Sequence, residues 1–288
     1  MSSLSQDLDF LSGAGQTPQD WTRLAEHLSE NGMRLDEDPP PRQFSSGFGN
    51  LNYLISVDST LQVLRRPPMG PIQPGSNDMV RESRILLQLW KKFPLAPRCH
   101  HICENPNILG APFFLMEYRP GLVIGGSIPE GLEEDVGIGL GQMMAERLAA
   151  FHAINPADVG LETLGNPEGF LARTFNGWTK RASAAWNDET PTTLVSLIEW
   201  LTPRLVSDSQ PTLLHNDFKL DNIILNPDTL NPVAIIDWDM GTRGDPRWDL
   251  AVMLGYWTEK GDPDVMLELN QMPTAGHHFP DREKVAKL

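Results

Sequence analysis

Apolar positions along the chain change period several times, and each change marks an element. Trp21, Leu24 and Leu28 share one face at helical spacing, and the stripe stops at Gly32. Thr17, Pro18 and Asp20 precede it as a cap, a first-position proline and an early acid, so a leading helix is predicted there. Asp38 and three prolines then read as an extended linker. Residues 51–57 and 61–64 are strand-like, and the short join through Asp58, Ser59 and Thr60 predicts a hairpin. Over residues 79–93 the spacing of Ile85, Leu86, Leu89 and Phe93 predicts a helix. Residues 113–118 form an apolar strand that turns polar and ends in a turn at Pro120 and Gly121. Beyond it the pattern is helical: Leu140, Met143, Met144, Leu148 and Phe151 line up within 138–152 as a core stripe. His152, at the end of that stripe, is expected to cap the helix or sit at the core edge and not to react. Trp178, Trp186 and Trp200 follow; packing is the default for tryptophan, with an acceptor pocket as the alternative. The final segment from Pro280 begins like a helix but stops without a Gly or Asn cap or a completed apolar face, which reads as a truncated or diverged terminus.

Composition narrows the partners. A chain of 288 residues, 40% hydrophobic and 21% charged, can bury a sizeable core in two lobes. Its net charge of -15 would repel a nucleic-acid backbone or an anionic membrane, so neither is expected as a partner. No uncharged apolar run approaches a membrane span and the first residues lack a basic start, so a soluble, cytoplasmic protein is expected. Cys99 and Cys103 flank His100 and His101, four soft ligands in five residues. Five contiguous residues cannot readily surround a tetrahedral zinc, so the segment is read as a strand or its edge, without metal or disulfide.

The densest chemistry lies in Leu-Leu-His-Asn-Asp-Phe-Lys-Leu-Asp-Asn at 213–222. His215, Asp217 and Asn222 have the spacing of a protein-kinase catalytic loop, with Asn216 in place of its arginine. The apolar run 232–236 then delivers Asp237 where a carboxylate can leave the interior and meet a cation. Phosphoryl transfer needs positioning and charge neutralisation, and Mg2+ takes oxygen ligands from one or two protein groups, phosphate and water. Asn222 and Asp237 therefore read as metal ligands and Asp217 as the acceptor of a hydroxyl proton, with His215 bracing the loop. Any one of these residues could simply form a turn; their joint occurrence with Gly244-Asp-Pro beyond them favours the site.

With those residues in view, His215 through Asn222, Ile236-Asp-Trp-Asp239 and Gly244-Asp-Pro-Arg-Trp-Asp-Leu-Ala251 resemble the aminoglycoside phosphotransferase and choline kinase superfamily over most of the chain. Arg42 to Gly47, Val63 to Pro68, Arg81-Glu82, Gly110 to Glu117 and His152 to Pro156 resemble its branch of kinase domains found fused to acyl-CoA dehydrogenases. The resemblance implies an α+β, two-lobed protein-kinase-like fold. Residues 1–117 would form an N-terminal mixed α/β lobe with an antiparallel sheet and the leading helix, and residues 118–288 a mostly helical C-terminal lobe. Gly47, Gly49 and Asn50 stand where a glycine-rich loop lets backbone approach phosphate, although an ordinary loop is the plain reading. Arg65 takes the place of the strand lysine, with Arg66 as rival on the opposite face. Its partner would be Glu82, which otherwise reads as a surface acid favoured in a first helical turn. Backbone near Glu117 and Tyr118 would meet the purine at a hinge. Asp249, and Asp245 with it, would anchor the catalytic segment; for Asp239, support of the metal and loop solvation stay equally open.

The reading that results is a small-molecule kinase using ATP, with GTP as the alternative donor, and Mg2+ to phosphorylate a hydroxyl. No Ala-Pro-Glu segment follows Asp237, which argues against protein acceptors. The closer resemblance points to hydroxyacyl-CoA or another metabolite. The rivals are a nucleotide-binding pseudokinase and a metal-dependent phosphohydrolase.

Overall fold

The computed structural model describes residues 10–45, 49–71, 77–186 and 189–288. Helix α1 (Trp21–Glu30) is capped by Asp20, whose carboxylate accepts from the Arg23 N–H at 2.9 Å. The helix therefore starts later than the Thr17-Pro18 signal predicts. Thr17 is committed elsewhere: its N–H donates to Gln43 Oε1 and its carbonyl accepts from the Tyr53 hydroxyl, both at 2.7 Å.

Five strands, β1 (Arg42–Gln43), β2 (Leu51–Val57), β3 (Thr60–Arg66), β4 (Cys99–Cys103) and β5 (Phe113–Glu117), form an antiparallel sheet ordered β1-β2-β3-β5-β4. The β2–β3 hairpin turns on Asp58 and Ser59 at φ 50° and 62°, the left-handed pair that a two-residue loop between twisted strands requires. Strand β3 continues to Arg66, past the predicted end at Leu64, because the ladder pairs Arg65 with Asn52 and Arg66 with Leu51.

Side chains alternate across a strand, and both faces of this sheet are covered. Leu64, Phe113 and Leu115 pack with Leu24 and Leu28 of α1. Val63, Phe114 and Met116 belong instead to the main core with Ile85, Leu86 and Leu89 of helix α2 (Met79–Leu89). Double coverage explains why β5 reads as a continuous apolar run. Helix α2 ends short of the predicted Phe93, which is still buried. On β4, His101 meets His27 of α1, with their Nε2 atoms 2.9 Å apart.

After Glu117 the chain enters the helical part. Gly121 permits the crossing, since a Cβ there would lie 2.4 Å from Leu225 O. Arg119 ties the same segment down by donating to the carbonyls of Pro94 and Val233. A three-stranded sheet of β6 (Leu122–Val123), β8 (Ile223–Leu225) and β9 (Pro232–Ile235) and a pair of β7 (Thr212–Leu214) with β10 (Thr242–Gly244) carry the loops described below. Helix α3 (Val136–His152) buries Leu140, Met144, Leu148 and Phe151, as the stripe predicts.

Helices α4 (Phe170–Ala185), α5 (Thr192–Leu201), α6 (Pro246–Tyr256), α7 (Asp264–Leu269) and α8 (Arg282–Val285) complete the α-helices among the described residues. The tryptophans depart from the packing default: Trp178, Trp186 and Trp200 are 50%, 51% and 54% exposed. Helix α4 fully buries Phe170 alone and α5 fully buries no residue, so both lie on the surface. Arg181 and Arg204 cover the Trp178 and Trp200 rings. Val285 of α8 joins the main core, an apolar contact absent from the sequence reading of that segment. Among the described residues no helix is long and apolar enough to cross a membrane.

Candidate active site

The loop 215–222 connects β7 to β8, and Asp237 follows β9. Ile223 pairs with Ile235, and the Ile236 N–H donates to Asn222 O at 2.9 Å. This hairpin brings Asn222 and Asp237 to the same end of neighbouring strands. Asn216 and Asp237 both hold left-handed backbone, φ 65° and 66°, which Asn and Asp tolerate better than most side chains.

Asp217 is held from two sides. Asn222 Nδ2 donates to its Oδ2 at 3.0 Å and to its backbone carbonyl at 2.8 Å, which turns the amide oxygen of Asn222 the other way. The Tyr256 hydroxyl, at the end of α6, donates to Asp217 Oδ1 at 2.9 Å. Burial and the neighbouring Asp217 charge push the Tyr256 hydroxyl above its ordinary range, so it stays a donor at neutral pH. Lys219 Nζ lies 3.7 Å from Asp217 Oδ2 and 3.4 Å from Asp221 Oδ2.

Helix α6 also carries the loop's anchor. Asp249, fully buried, accepts from the backbone N–H groups of His215 at 2.8 Å and Asn216 at 2.7 Å, and from His152 Nε2 at 3.0 Å. His215 Nε2 donates to Ile236 O at 3.0 Å while Nδ1 accepts from the Asp217 N–H at 3.3 Å, the pattern of a neutral ring. Burial lowers its pKa and so keeps it neutral. Its ring lies 4.5 Å from that of Trp238. His215 thus has the contacts of a brace, and His152 those of a link from α3 to Asp249.

The start of α6 is fixed by Asp245, which receives the Arg247 side chain, the Ser209 N–H and the Arg247 N–H. These donors, the Arg247 guanidinium first, hold its carboxyl well below the usual carboxylate range. A depressed pKa adds stability above the unfolded value near pH 3.9 and loses it as the pH falls through the folded value. Asp245→Asn is therefore expected to cost about 1–2 kcal/mol at pH 7. In urea melts that difference should shrink steadily below about pH 4; a difference independent of pH would contradict this account.

The opposite wall comes from the sheet. Arg65 Nε donates to Glu82 Oε2 at 2.9 Å, and its Nη2 forms an ion pair with Asp237. With its amide oxygen turned toward Arg65, Asn50 accepts from Nη2 at 2.8 Å. Glu82 is 1% exposed and also accepts from the Trp238 N–H at 3.2 Å, which leaves the expected pairing with Arg65 and removes the surface-acid alternative. Burial pushes the Glu82 carboxyl up to about 7 against the pull of Arg65. Arg66 points to the other face, where it donates to Gln19 Oε1 and the Leu109 carbonyl. Only Arg65 of the two therefore faces α2 and Asp237.

Asp239 is half-buried, and its backbone carbonyl accepts from Arg81. Burial first, then the Asp237 charge, push its carboxyl up to about 6. Among the described residues no three His, Cys, Asp or Glu side chains converge to cage a metal. The set still fits a hard cation that keeps water and phosphate ligands: a carboxylate, Asp237, that is 34% exposed, the outward amide oxygen of Asn222, and excess buried negative charge at Asp239.

Other predicted positions are less direct. Gly47 lies outside the described residues. Gly49 O accepts from Asn77 Nδ2, which ties Gly49 to the start of α2. At the hinge the Glu117 N–H donates to Arg98 O at 2.8 Å and its carboxylate receives Arg119 at 2.8 Å, so that N–H is committed within the protein. The adjoining Tyr118 is half-buried beside Phe44. Tyr256 and Lys219 escaped the sequence reading. The one available signal for Tyr256 was its position seven residues after Asp249, which returns it to the same face of α6.

This arrangement agrees with what the chain is similar to. The phosphotransferase enzyme family matches residues 41–288. Acyl-CoA dehydrogenase family member 10 of Mus musculus is 32% identical over 222 residues, 77% of this chain and 21% of that protein. Family member 11 of Homo sapiens is 30% identical over 230 residues, 79% of this chain and 29% of that protein. The chain thus spans less than a third of the length of either relative. A Ralstonia eutropha structure provisionally named an aminoglycoside phosphotransferase superposes with TM-score 0.72 at 22% identity, covering 94% of this chain and 79% of that one. The GDP complex of an aminoglycoside 2'-phosphotransferase-IIIa variant superposes with TM-score 0.60 at 17% identity, covering 93% and 83%. At such identities these structures speak for the two-lobed protein-kinase-like fold alone. The matched family covers most of the sequence, including every residue of the site above, and the chain belongs to the phosphotransferase enzyme family.

Proposed function

We propose that this chain transfers the γ-phosphate of a nucleoside triphosphate, ATP in the first instance with GTP as the alternative, to a hydroxyl of a small molecule in the cytoplasm. The nucleotide would lie between the sheet lobe, residues 1–117, and the helical lobe, residues 118–288, with Gly47, Gly49 and Asn50 near its phosphates and the hinge around Tyr118 near its base. The observation that carries this reading is the Asp217 carboxylate, held by Tyr256 and Asn222 on a loop joined at Asn222 to the strand end that bears Asp237, which in turn pairs with Arg65, itself bound to Glu82.

In this mechanism Asp217 takes the proton of the acceptor hydroxyl as its oxygen bonds to the γ-phosphorus. The bond from that phosphorus to the bridging oxygen breaks, and the nucleoside diphosphate leaves. Asn222 and Asp237 would hold Mg2+, which when bound neutralises phosphate charge. Arg65, oriented by Glu82, offers its guanidinium to phosphate oxygens. His215 and Asp249 hold the loop, and Asp239 would add negative charge beside Asp237 for the cation. The names of the curated relatives make hydroxyacyl-CoA the first acceptor to try.

The test is a thermal-shift titration with ATP and GTP, with and without Mg2+. A Mg2+-dependent rise in melting temperature is expected, lost in Asp237→Ala. No rise at millimolar nucleotide would sink the proposal. A rise with no transfer to any acceptor would favour a nucleotide-binding regulatory protein, and phosphate release that no acceptor diverts would favour a phosphohydrolase.

A further inference from the structure

Helix α6 touches the loop 215–222 at two places on one face. Asp249 holds the backbone of His215 and Asn216, and Tyr256, seven residues on, reaches the side chain of Asp217. Seven residues are two turns, so the two contacts fall on one stripe about 10 Å apart along the axis. The helix itself is fixed at its start by Asp245 and packs Met253 in the main core. It therefore acts as a ruler laid along the loop.

The other groups near the Asp217 carboxylate, Asn222 and Lys219, belong to the same loop and move with it. Lys219 also competes for that carboxylate. Its ammonium is 3.7 Å from Asp217 Oδ2, beyond a hydrogen bond, and sits 5.4 Å from the centroid of the Tyr256 ring. The tyrosine thus meets both partners, the ring holding the cation and the hydroxyl holding the anion. We infer that Tyr256 is a positioning residue for phosphoryl transfer: its hydroxyl fixes the Asp217 carboxylate toward the acceptor and keeps it from closing onto Lys219. This rests on the reading of Asp217 as the base.

Loss of the hydroxyl frees one oxygen of Asp217, and its rotation toward Lys219 takes it off the line of the acceptor proton. Such misplacement lowers the rate of the step without touching nucleotide contacts. The experiment compares the unmodified chain with Tyr256→Phe, Tyr256→Leu and Asp217→Ala, using Mg2+-ATP with water as acceptor and reading phosphate release alongside melting temperature. Tyr256→Phe, which keeps the ring, is expected to lower kcat about tenfold with KM for ATP unchanged and the melting temperature lowered by no more than a few degrees. Tyr256→Leu, which loses the ring over Lys219 as well, should fall further. Full kcat in Tyr256→Phe would overturn the inference while leaving Asp217 as base. A loss of kcat accompanied by a raised KM for ATP and a fall in melting temperature of about 10 °C or more would also overturn it, since that is a structural defect. If release by the unmodified chain does not exceed that of Asp217→Ala, the base assignment fails first and this inference with it.

Discussion

Replacing Asp217 with alanine lowers the rate of phosphoryl transfer by about a thousandfold, the middle of the range for loss of a positioned general base. The carboxylate is the loop group that combines a basic oxygen with a held orientation. Tyr256 and Asn222 bind one oxygen each, and each oxygen retains a second lone pair for an acceptor proton. His215 cannot substitute, because its Nε2–H is spent on Ile236 O and its Nδ1 on the Asp217 N–H. Nucleotide affinity should change little, since the groups proposed to meet phosphate and Mg2+ come from Arg65, Asn222 and Asp237. The Mg2+-dependent thermal shift is therefore retained while kcat collapses, which separates a lost base from a lost site. Transfer within tenfold of the unmodified rate would remove Asp217 from the mechanism.

Asp249→Ala is expected to cost about 3–5 kcal/mol of stability, the range for removing one partner of a buried charged group. Asp249 is fully buried and accepts from two backbone N–H groups and His152. Its deletion leaves the buried His215 N–H and the part-buried Asn216 N–H without that acceptor. In a chain of this size such a loss lowers the melting temperature by roughly 10 °C. Asp249→Asn keeps one acceptor oxygen and should lose only part of it. Urea melts of the two variants give the comparison; a cost below about 1 kcal/mol for the alanine would show that the anchor is not needed to hold the loop.

Much of the site was visible as spacing. His215, Asp217 and Asn222 fall within eight residues, and the apolar run before Asp237 announces a strand that ends in a carboxylate. Alternation in β3 likewise separates Arg65 from Arg66, although it cannot say which face holds the acid. That choice came from Glu82, which sits 17 residues away and is buried by the packing of α2 against the sheet. Sequence left a surface acid open as the alternative for Glu82, because a helix's first turn favours one wherever it lies. The tryptophans misled in the opposite direction: their size argues for burial, but α4 and α5 have too little of the protein against them. At the hinge, a strand turning polar at Glu117 was legible, whereas the use of its N–H by Arg98 was not.

The sequence by itself determined what short covalent spacing controls: the hairpin through Asp58, Ser59 and Thr60, the alternation that sorts Val63 from Leu64, and the order of groups on the loop 215–222. Only the tertiary structure decided which remote side chains meet. Arg65 reaches Asp237 across 172 residues, His152 reaches Asp249 across 97, and Tyr256 reaches Asp217 across 39. The physical reason is that local backbone geometry repeats with a period the chain itself displays, while a contact between distant positions exists only after packing has fixed both elements in the same frame.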